Sequence, residues 1–184
     1  RPLREVRISS RNPDTRRRFA ESVTDRLGIR ARAVDTLEEA VTDTPIVTLI
    51  TNATEAFLTA DMLAKGSHLN AMGAIVPSRV EFNDDVFSRI DLIAVDSLRS
   101  VRDLSTEFRR HCGEDEAAWQ EVRTIASVIA ADETRPDGAD VTLFKAMGMG
   151  LSDLALAIEV LKRARAQNKG HKVPDRVKLP ARLT

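Results

Sequence analysis

The sequence predicts a doubly wound α/β fold on a mostly parallel sheet. Three observations carry that prediction. Short alternating or apolar segments recur along the chain, segments of helical spacing separate most of them, and small, polar or glycine-bearing residues follow several of the short segments. A parallel sheet with crossover helices leaves this pattern.

The elements follow in order. Over residues 5–9, Val6 and Ile8 alternate with polar neighbours, which is a strand period. Residues 10–13 break it. Residues 14–26 are helically spaced, with Phe19, Val23 and either Ala20 or Leu27 as the apolar stripe and Gly28 as the stop. Residues 29–34 alternate again. Thr36, followed three residues later by Glu39, opens a short helix over 36–41 in a capping-box pattern. Residues 45–50 run almost continuously apolar, as a strand covered on both faces does. Residues 58–65 give one or two helical turns that end at Gly66, and 67–73 form a strand with Leu69, Ala71 and Gly73 on one side. Pro77 opens a loop and residues 82–88 are helical. Residues 92–96 read as a buried strand ending in Asp96. Residues 98–110 read as one helix through Leu104 and Phe108, and 116–130 as another. Pro136 and Gly138 mark a turn-rich loop before a last strand over 140–144. Residues 151–165 are the strongest helix, with Leu154, Ile158 and Leu161 along one side, and the basic, proline-interrupted tail over 168–184 reads as irregular.

Composition narrows the function. The 184 residues carry 28 Lys+Arg against 28 Asp+Glu. That neutrality argues against a nucleic-acid partner, which usually meets a strongly basic face. Cys112 is the single cysteine, so no internal disulfide framework or cysteine zinc cluster is expected, and no metal site. No apolar run approaches the about 18 residues of a membrane span. The front shows no signal-peptide pattern, so a reduced, cytoplasmic setting is the expectation. The chain opens at Arg1 almost directly into a strand, which reads as a piece of a longer protein.

Ligands of such sheets bind outside the carboxyl ends of the strands. The segments that follow those ends are Ser10, Arg11 and Asn12; Thr51 to Thr54; Gly73 to Pro77; and Lys145 to Gly148. A G-x-G-x-x-G loop is absent from the sequence. If the strand at residue 6 is the second of its sheet, that loop lies upstream. The residues after it then choose the cofactor: a carboxylate there suits NAD, and small polar and basic residues suit the 2′-phosphate of NADP. Ser10, Arg11 and Asn12 hold that place, with no carboxylate before Asp14, and the guanidinium fork of Arg11 matches a phosphate.

Two blocks resemble the ornithine cyclodeaminase/mu-crystallin family: Lys65-Gly-Ser-His-Leu-Asn-Ala-Met-Gly-Ala74, with Pro77 and Glu81 beyond it, and Asp140-Val-Thr-Leu-Phe-Lys-Ala-Met-Gly-Met-Gly-Leu-Ser-Asp153. Thr48 to Thr51 and the Ser10 segment fit the same pattern, and the resemblance covers residues 3–165. It implies a two-domain enzyme that moves a hydride between NAD(P) and an amino or imino acid. Residues 1–147 would be the Rossmann-like cofactor domain, lacking its first strand and glycine loop, and 148–184 the C-terminal helix and basic tail. The resemblance implies cofactor contacts at Ser10, Arg11, Asn12, Thr51, Met72, Gly73, Ala74, Arg79 and Ala146, and substrate contacts at Ile75 and Met147. It also implies a homodimer made by the N-terminal domain, which this chain lacks.

The cyclodeaminases of that family carry a catalytic Asp where this chain has Ile75. A hydrocarbon cannot exchange a proton, so deamination by that carboxylate is closed. The resemblance assigns no catalytic residue to this chain, and the chain by itself is expected to be inactive. A reductase or dehydrogenase is the leading expectation. A catalytically inactive cofactor-binding module, or a truncated remnant with exposed strand edges, is the alternative.

Single residues have plainer readings. His68, inside an apolar strand, reads as a buried, hydrogen-bonded histidine, and Cys112 as an ordinary thiol. Asp96 reads as the cap of the next helix and Asp153 as a first-turn helix carboxylate. The arginine-rich opening reads as a solvated helix face.

Overall fold

The computed structural model describes residues 2–171 and Val173. Two compact units divide the chain, Arg1–Gly148 and Met149–Thr184. The first is a parallel α/β structure, and the second is dominated by one helix.

The first unit begins with β1 (Glu5–Ile8), α1 (Pro13–Leu27) and β2 (Arg30–Ala33), and β1 pairs β2 in parallel with Val6 opposite Ala31. The Asn12 side chain caps α1 by accepting from Thr15 N–H, Pro13 pre-sets the first turn, and Gly28 ends the helix at φ 65°. The expected stripe is buried only in part, at Ala20 and, by half, at Val23. Arg16 and Ala20 are buried, while Phe19 and Leu27 are exposed. The long stem of Arg16 takes the covered place, and its guanidinium reaches Asp35 at 2.5 Å and the Ser10 carbonyl at 3.0 Å.

Next come α2 (Leu37–Val41) and β3 (Ile46–Leu49). Thr36 caps α2 through Glu39 N–H, and the Glu39 carboxylate returns to Asp35 N–H, one residue before the usual capping-box donor. Arg7 of β1 donates to the carbonyls of Glu39 and Thr42 at the far end of α2. β3 is not covered on both faces. Val47 and Leu49 are buried, and Ile46 and Thr48 are exposed, because β3 is an edge strand with one face on the core.

The remaining elements of this unit are β4 (Ser67–Ala71), β5 (Ile90–Val95), α3 (Leu98–Leu104), α4 (Thr106–Cys112), α5 (Glu116–Gln120), β6 (Val122–Thr124), α6 (Ile125–Ala130) and β7 (Val141–Lys145), with 3-10 helices at Ala60–Met62 and Asp84–Arg89 where the sequence predicts helical turns over 58–65 and 82–88. The five-stranded sheet has the order β3-β4-β7-β5-β6 and every pair is parallel. Two sequence expectations fail here. The single helix over 98–110 is two helices, broken at Ser105, which ends α3 and opens α4. The helix over 116–130 is a short helix, the strand β6 and another short helix. Val122 pairs Ile93, and that tertiary pairing outweighs the local helical spacing.

The core lies on one face of the sheet. Leu69 and Ala71 of β4, Val141 and Leu143 of β7, and Val95 of β5 meet Phe82, Val101, Phe108 and Trp119. Arg89 ties the lower part of the sheet with paired bonds to Asp140 at 2.9 and 2.8 Å and further bonds to the Ala60 and Leu63 carbonyls. Among the described residues, one edge of β1 and one edge of β3 have no strand partner.

In the second unit α7 spans Gly150–Ala166, with Asp153 in its first turn and Arg163 and Arg165 in its last, complementing the helix dipole. Most of the tail expected to be irregular lies outside the described residues.

Leu143 is buried at the centre of the sheet. Leu143→Ala should lower the unfolding free energy of the protein by about 3 kcal/mol, measured as a denaturant midpoint shift at constant slope.

Candidate functional site

Parallel pairing puts the carboxyl ends of β3, β4, β7 and β5 on one edge. Leu49, Ala71, Lys145 and Val95 stand in one row across the sheet. The residues just beyond that row are Thr51, residues 72–75, Ala146, Met147 and Asp96, so adjacency in the sheet gathers segments that lie far apart in the chain.

A single buried carboxylate fastens two of the exits. Glu81 Oε1 accepts from Thr51 N–H at 2.6 Å and Thr51 O–H at 2.8 Å. Its Oε2 accepts from Gly73 N–H at 2.8 Å and Ala74 N–H at 3.1 Å. The loops after β3 and β4 therefore share one anion. Gly73 is required by the closeness of these partners: a Cβ there would run into the Thr51 backbone and Glu81 Oε1. Asp96 fastens the third exit. Its Oδ2 accepts from Met147 N–H at 2.9 Å and Gly148 N–H at 2.8 Å. The expected helix-capping role falls instead to Ser97, which accepts from Ser100 N–H.

Lys145 is fully buried, and its Nζ donates to the Ala74 carbonyl at 2.7 Å. Burial lowers its pKa, and the carboxylates of Glu107, Glu81 and Asp96 pull it back up. A clue was present in the sequence, since Lys145 shares strand parity with Val141 and Leu143 and so must face the core. Glu107 carries no such signal, yet it is also fully buried.

The implied contacts have these places. Ser10, Arg11 and Asn12 follow β1 and are exposed, with Asn12 Oδ1 committed to the helix cap and the Ser10 carbonyl held by Arg16. The Thr51 hydroxyl is committed to Glu81 and also accepts from Ala53 N–H. Met72 and Ile75 are partly open at 37% and 38% exposure, whereas Gly73 and Ala74 are buried. Arg79 is half-buried, and its backbone N–H donates to the Val76 carbonyl. Ala146 N–H donates to the Ala71 carbonyl, and Met147 is buried. Thus 72–75 and 146–147 meet at one edge, while the Ser10 segment belongs to the two-stranded sheet.

Other titratable groups lie elsewhere. His68 faces away from the core, half-buried, with Nδ1 at 2.8 Å from Thr142 Oγ1 and Nε2 at 3.2 Å from Asn70 Oδ1. It helps line a groove of about 590 Å³ against that face, together with Arg135 and Phe144. His111 stacks on Phe87 at 3.9 Å, and Cys112 is a buried thiol. Among the described residues no group of three or more His, Cys, Asp or Glu could hold a metal ion, and no helix is long and apolar enough to cross a membrane.

A parallel sheet of this order, with its glycine-bearing exits fastened at the carboxyl edge, defines a Rossmann-like α/β domain. The chain belongs to the ornithine cyclodeaminase/mu-crystallin family, whose model matches residues 1–168. It is 27% identical over 177 residues to a Delta(1)-pyrroline-2-carboxylate reductase of Bacillus cereus, covering 94% of this chain and 54% of that protein. It is 29% identical over 155 residues to the ketimine reductase mu-crystallin of Rattus norvegicus, covering 84% of this chain and 46% of that protein. The fold matches that of the Thermococcus litoralis Delta(1)-pyrroline-2-carboxylate reductase, solved with NADH and L-proline, at a TM-score of 0.80 and 23% identity over 92% of this chain and 53% of that one. The chain therefore spans about half the length of these relatives.

Two predictions test this geometry. Gly73→Ala should destabilise the protein by about 3 kcal/mol, read by denaturant unfolding, because backbone rather than a flexible side chain must give way. Burial, against the Asn70 bond, holds the His68 imidazole below its ordinary value. The unfolded chain then binds the proton more tightly, so this contribution to stability is present above the unfolded pKa of about 6.5 and is lost as pH falls through the folded value. His68→Gln should flatten the midpoint-versus-pH curve on the acid side of 6.5, leaving the contribution of His111, which burial also lowers.

Proposed function

We propose that this chain is the cofactor domain of an NAD(P)-dependent oxidoreductase that moves a hydride between the nicotinamide and an amino or imino acid. The observation that carries this reading is the meeting of residues 72–75 with Ala146 and Met147 at one carboxyl edge, in a family whose relatives here are named as reductases. Met72, Gly73 and Ala74 would form the wall against the ring, with Thr51, Arg79 and Ala146 as further cofactor contacts. Ile75 and Met147 would face the substrate.

The residues fit such a group. Met72 and Ile75 are the open positions of this segment, with the small residues Gly73 and Ala74 buried between them and drawn close to Thr51, and the bound nicotinamide would supply or accept the hydride. Ile75 offers the substrate an apolar surface that excludes water and no group that exchanges a proton. This favours reduction or dehydrogenation over cyclodeamination by a carboxylate. Arg11, exposed beside Ser10 and Asn12 with no carboxylate before Asp14, favours NADP.

In this reading residues 1–147 form the cofactor domain and 148–184 the C-terminal helix and basic tail. The unpaired edges of β1 and β3 suit one more parallel strand between them, followed by a glycine loop, from the part of the protein outside this chain. Substrate choice and a homodimer interface would rest on that same part. A second reading, an inactive cofactor-binding module, is favoured by Ile75 alone.

The test is turnover of Delta(1)-pyrroline-2-carboxylate by the full-length protein with NADPH and with NADH. Reduction supports the enzyme, and tight cofactor binding without reduction of this or other cyclic imines supports the binding module. Arg11→Ala should weaken NADPH about tenfold while changing NADH less than about twofold, because only NADPH loses a charge-assisted phosphate contact. Equal losses in cofactor titrations would remove the NADP preference.

A further inference from the structure

Glu81, Glu107 and Lys145 are all fully buried. Burying ionised groups is costly unless each is well partnered. Here five of their seven hydrogen-bond partners are backbone groups, four of them in the candidate site. Glu81 takes two donors from Thr51 and one each from Gly73 and Ala74. Glu107 Oε1 accepts from Glu81 N–H at 3.1 Å, and its Oε2 from Ser105 O–H at 2.8 Å, so the bend between α3 and α4 steadies Glu81. Lys145, the last residue of the central strand, holds the Ala74 carbonyl. The following amide, Ile75 N–H, donates to the Gly73 carbonyl at 3.1 Å. The peptide unit joining Ala74 to Ile75 is thus fixed at both ends, and with it the direction in which Ile75 leaves the sheet.

An apolar core would do for stability alone, since replacing buried ion pairs by hydrocarbon is often neutral or favourable. Charged partners differ in one respect. Their hydrogen bonds are shorter and stronger, so they hold backbone groups in a defined place. We propose that Glu81, Glu107 and Lys145 are a positioning unit that sets residues 73–75 against Thr51, and so fixes how the reactive ring of the cofactor and the substrate meet. The proposal rests on the reading of this edge as the cofactor and substrate site.

Lys145→Met in the full-length protein is the test, with Lys145→Arg as the conservative partner. Three quantities are read: residue-resolved amide exchange without ligand, dissociation constants for NADPH and ADP-ribose, and kcat and KM for Delta(1)-pyrroline-2-carboxylate. With the positioning role, Lys145→Met keeps a cooperative melt, and Ile75 N–H exchanges about 10-fold faster while Leu143 N–H does not change. The kcat falls about 10-fold or more, ADP-ribose affinity stays within about twofold, and Lys145→Arg recovers part of the loss. Unchanged exchange at Ile75, or equal loss of ADP-ribose and NADPH affinity, would overturn it. Should Lys145→Met fail to fold, Thr51→Val removes one of the four donors to Glu81. Gly73 and Ala74 amides should then exchange about threefold faster, and unchanged rates overturn the proposal. If the wild type turns over no imine, the functional reading fails, and amide exchange alone still decides whether the unit holds these residues.

Discussion

The carboxylate of Glu81 is the interaction on which the rest of the site depends. It sits where no solvent reaches and is satisfied by four donors, three of them backbone N–H groups. Both exits it joins follow neighbouring parallel strands, and their N–H groups converge on the one carboxylate. Without a shared acceptor those groups would be buried and unsatisfied, or the loops would lift away to find water. Gly73 is part of the same constraint, because only a residue without a Cβ lets the two exits approach.

The other exits obey the same logic with different groups. Asp96 gathers the N–H groups after β7, and Lys145 holds the carbonyl after β4. Donors and acceptors left over at the end of a parallel sheet are thus answered by side chains of opposite character. The hydrophobic core lies directly beneath, with Leu69, Ala71, Val141 and Leu143 on the face that Lys145 shares. A rigid apolar layer under a charged rim leaves the segments beyond the sheet little freedom. Such support suits the hydride transfer proposed for this edge, because small displacements weaken a reaction strongly.

Much of the fold was legible in the sequence. The alternation at Val6 and Ile8, the cap at Thr36 and the stop at Gly28 depend only on neighbours in the chain, and each appears in the structure. The failures share a different cause. Residues 122–124 have helical surroundings and become a strand because Ile93 lies beside Val122. The apolar run at 46–49 reads as doubly covered, yet it lies at an edge. Phe19 fits a helical stripe, but the buried place belongs to Arg16, whose charge is answered by Asp35 in the loop after β2. In every case the decisive partner is remote in sequence.

The same division holds for the site. The sequence alone determined the alternation of strand and helix, the two blocks that mark the family, the absence of a carboxylate at Ile75, and the order in which the exit segments occur. These are properties of residue type and spacing. Only the tertiary structure decided that Thr51, Gly73 and Ala74 share one buried anion, that Asp96 serves the exit of β7 rather than the next helix, and that Lys145 reaches a carbonyl 71 residues earlier. Hydrogen bonds between distant segments form only after the sheet has set its strand order, and strand order is fixed by packing of the whole domain rather than by any local stretch of sequence.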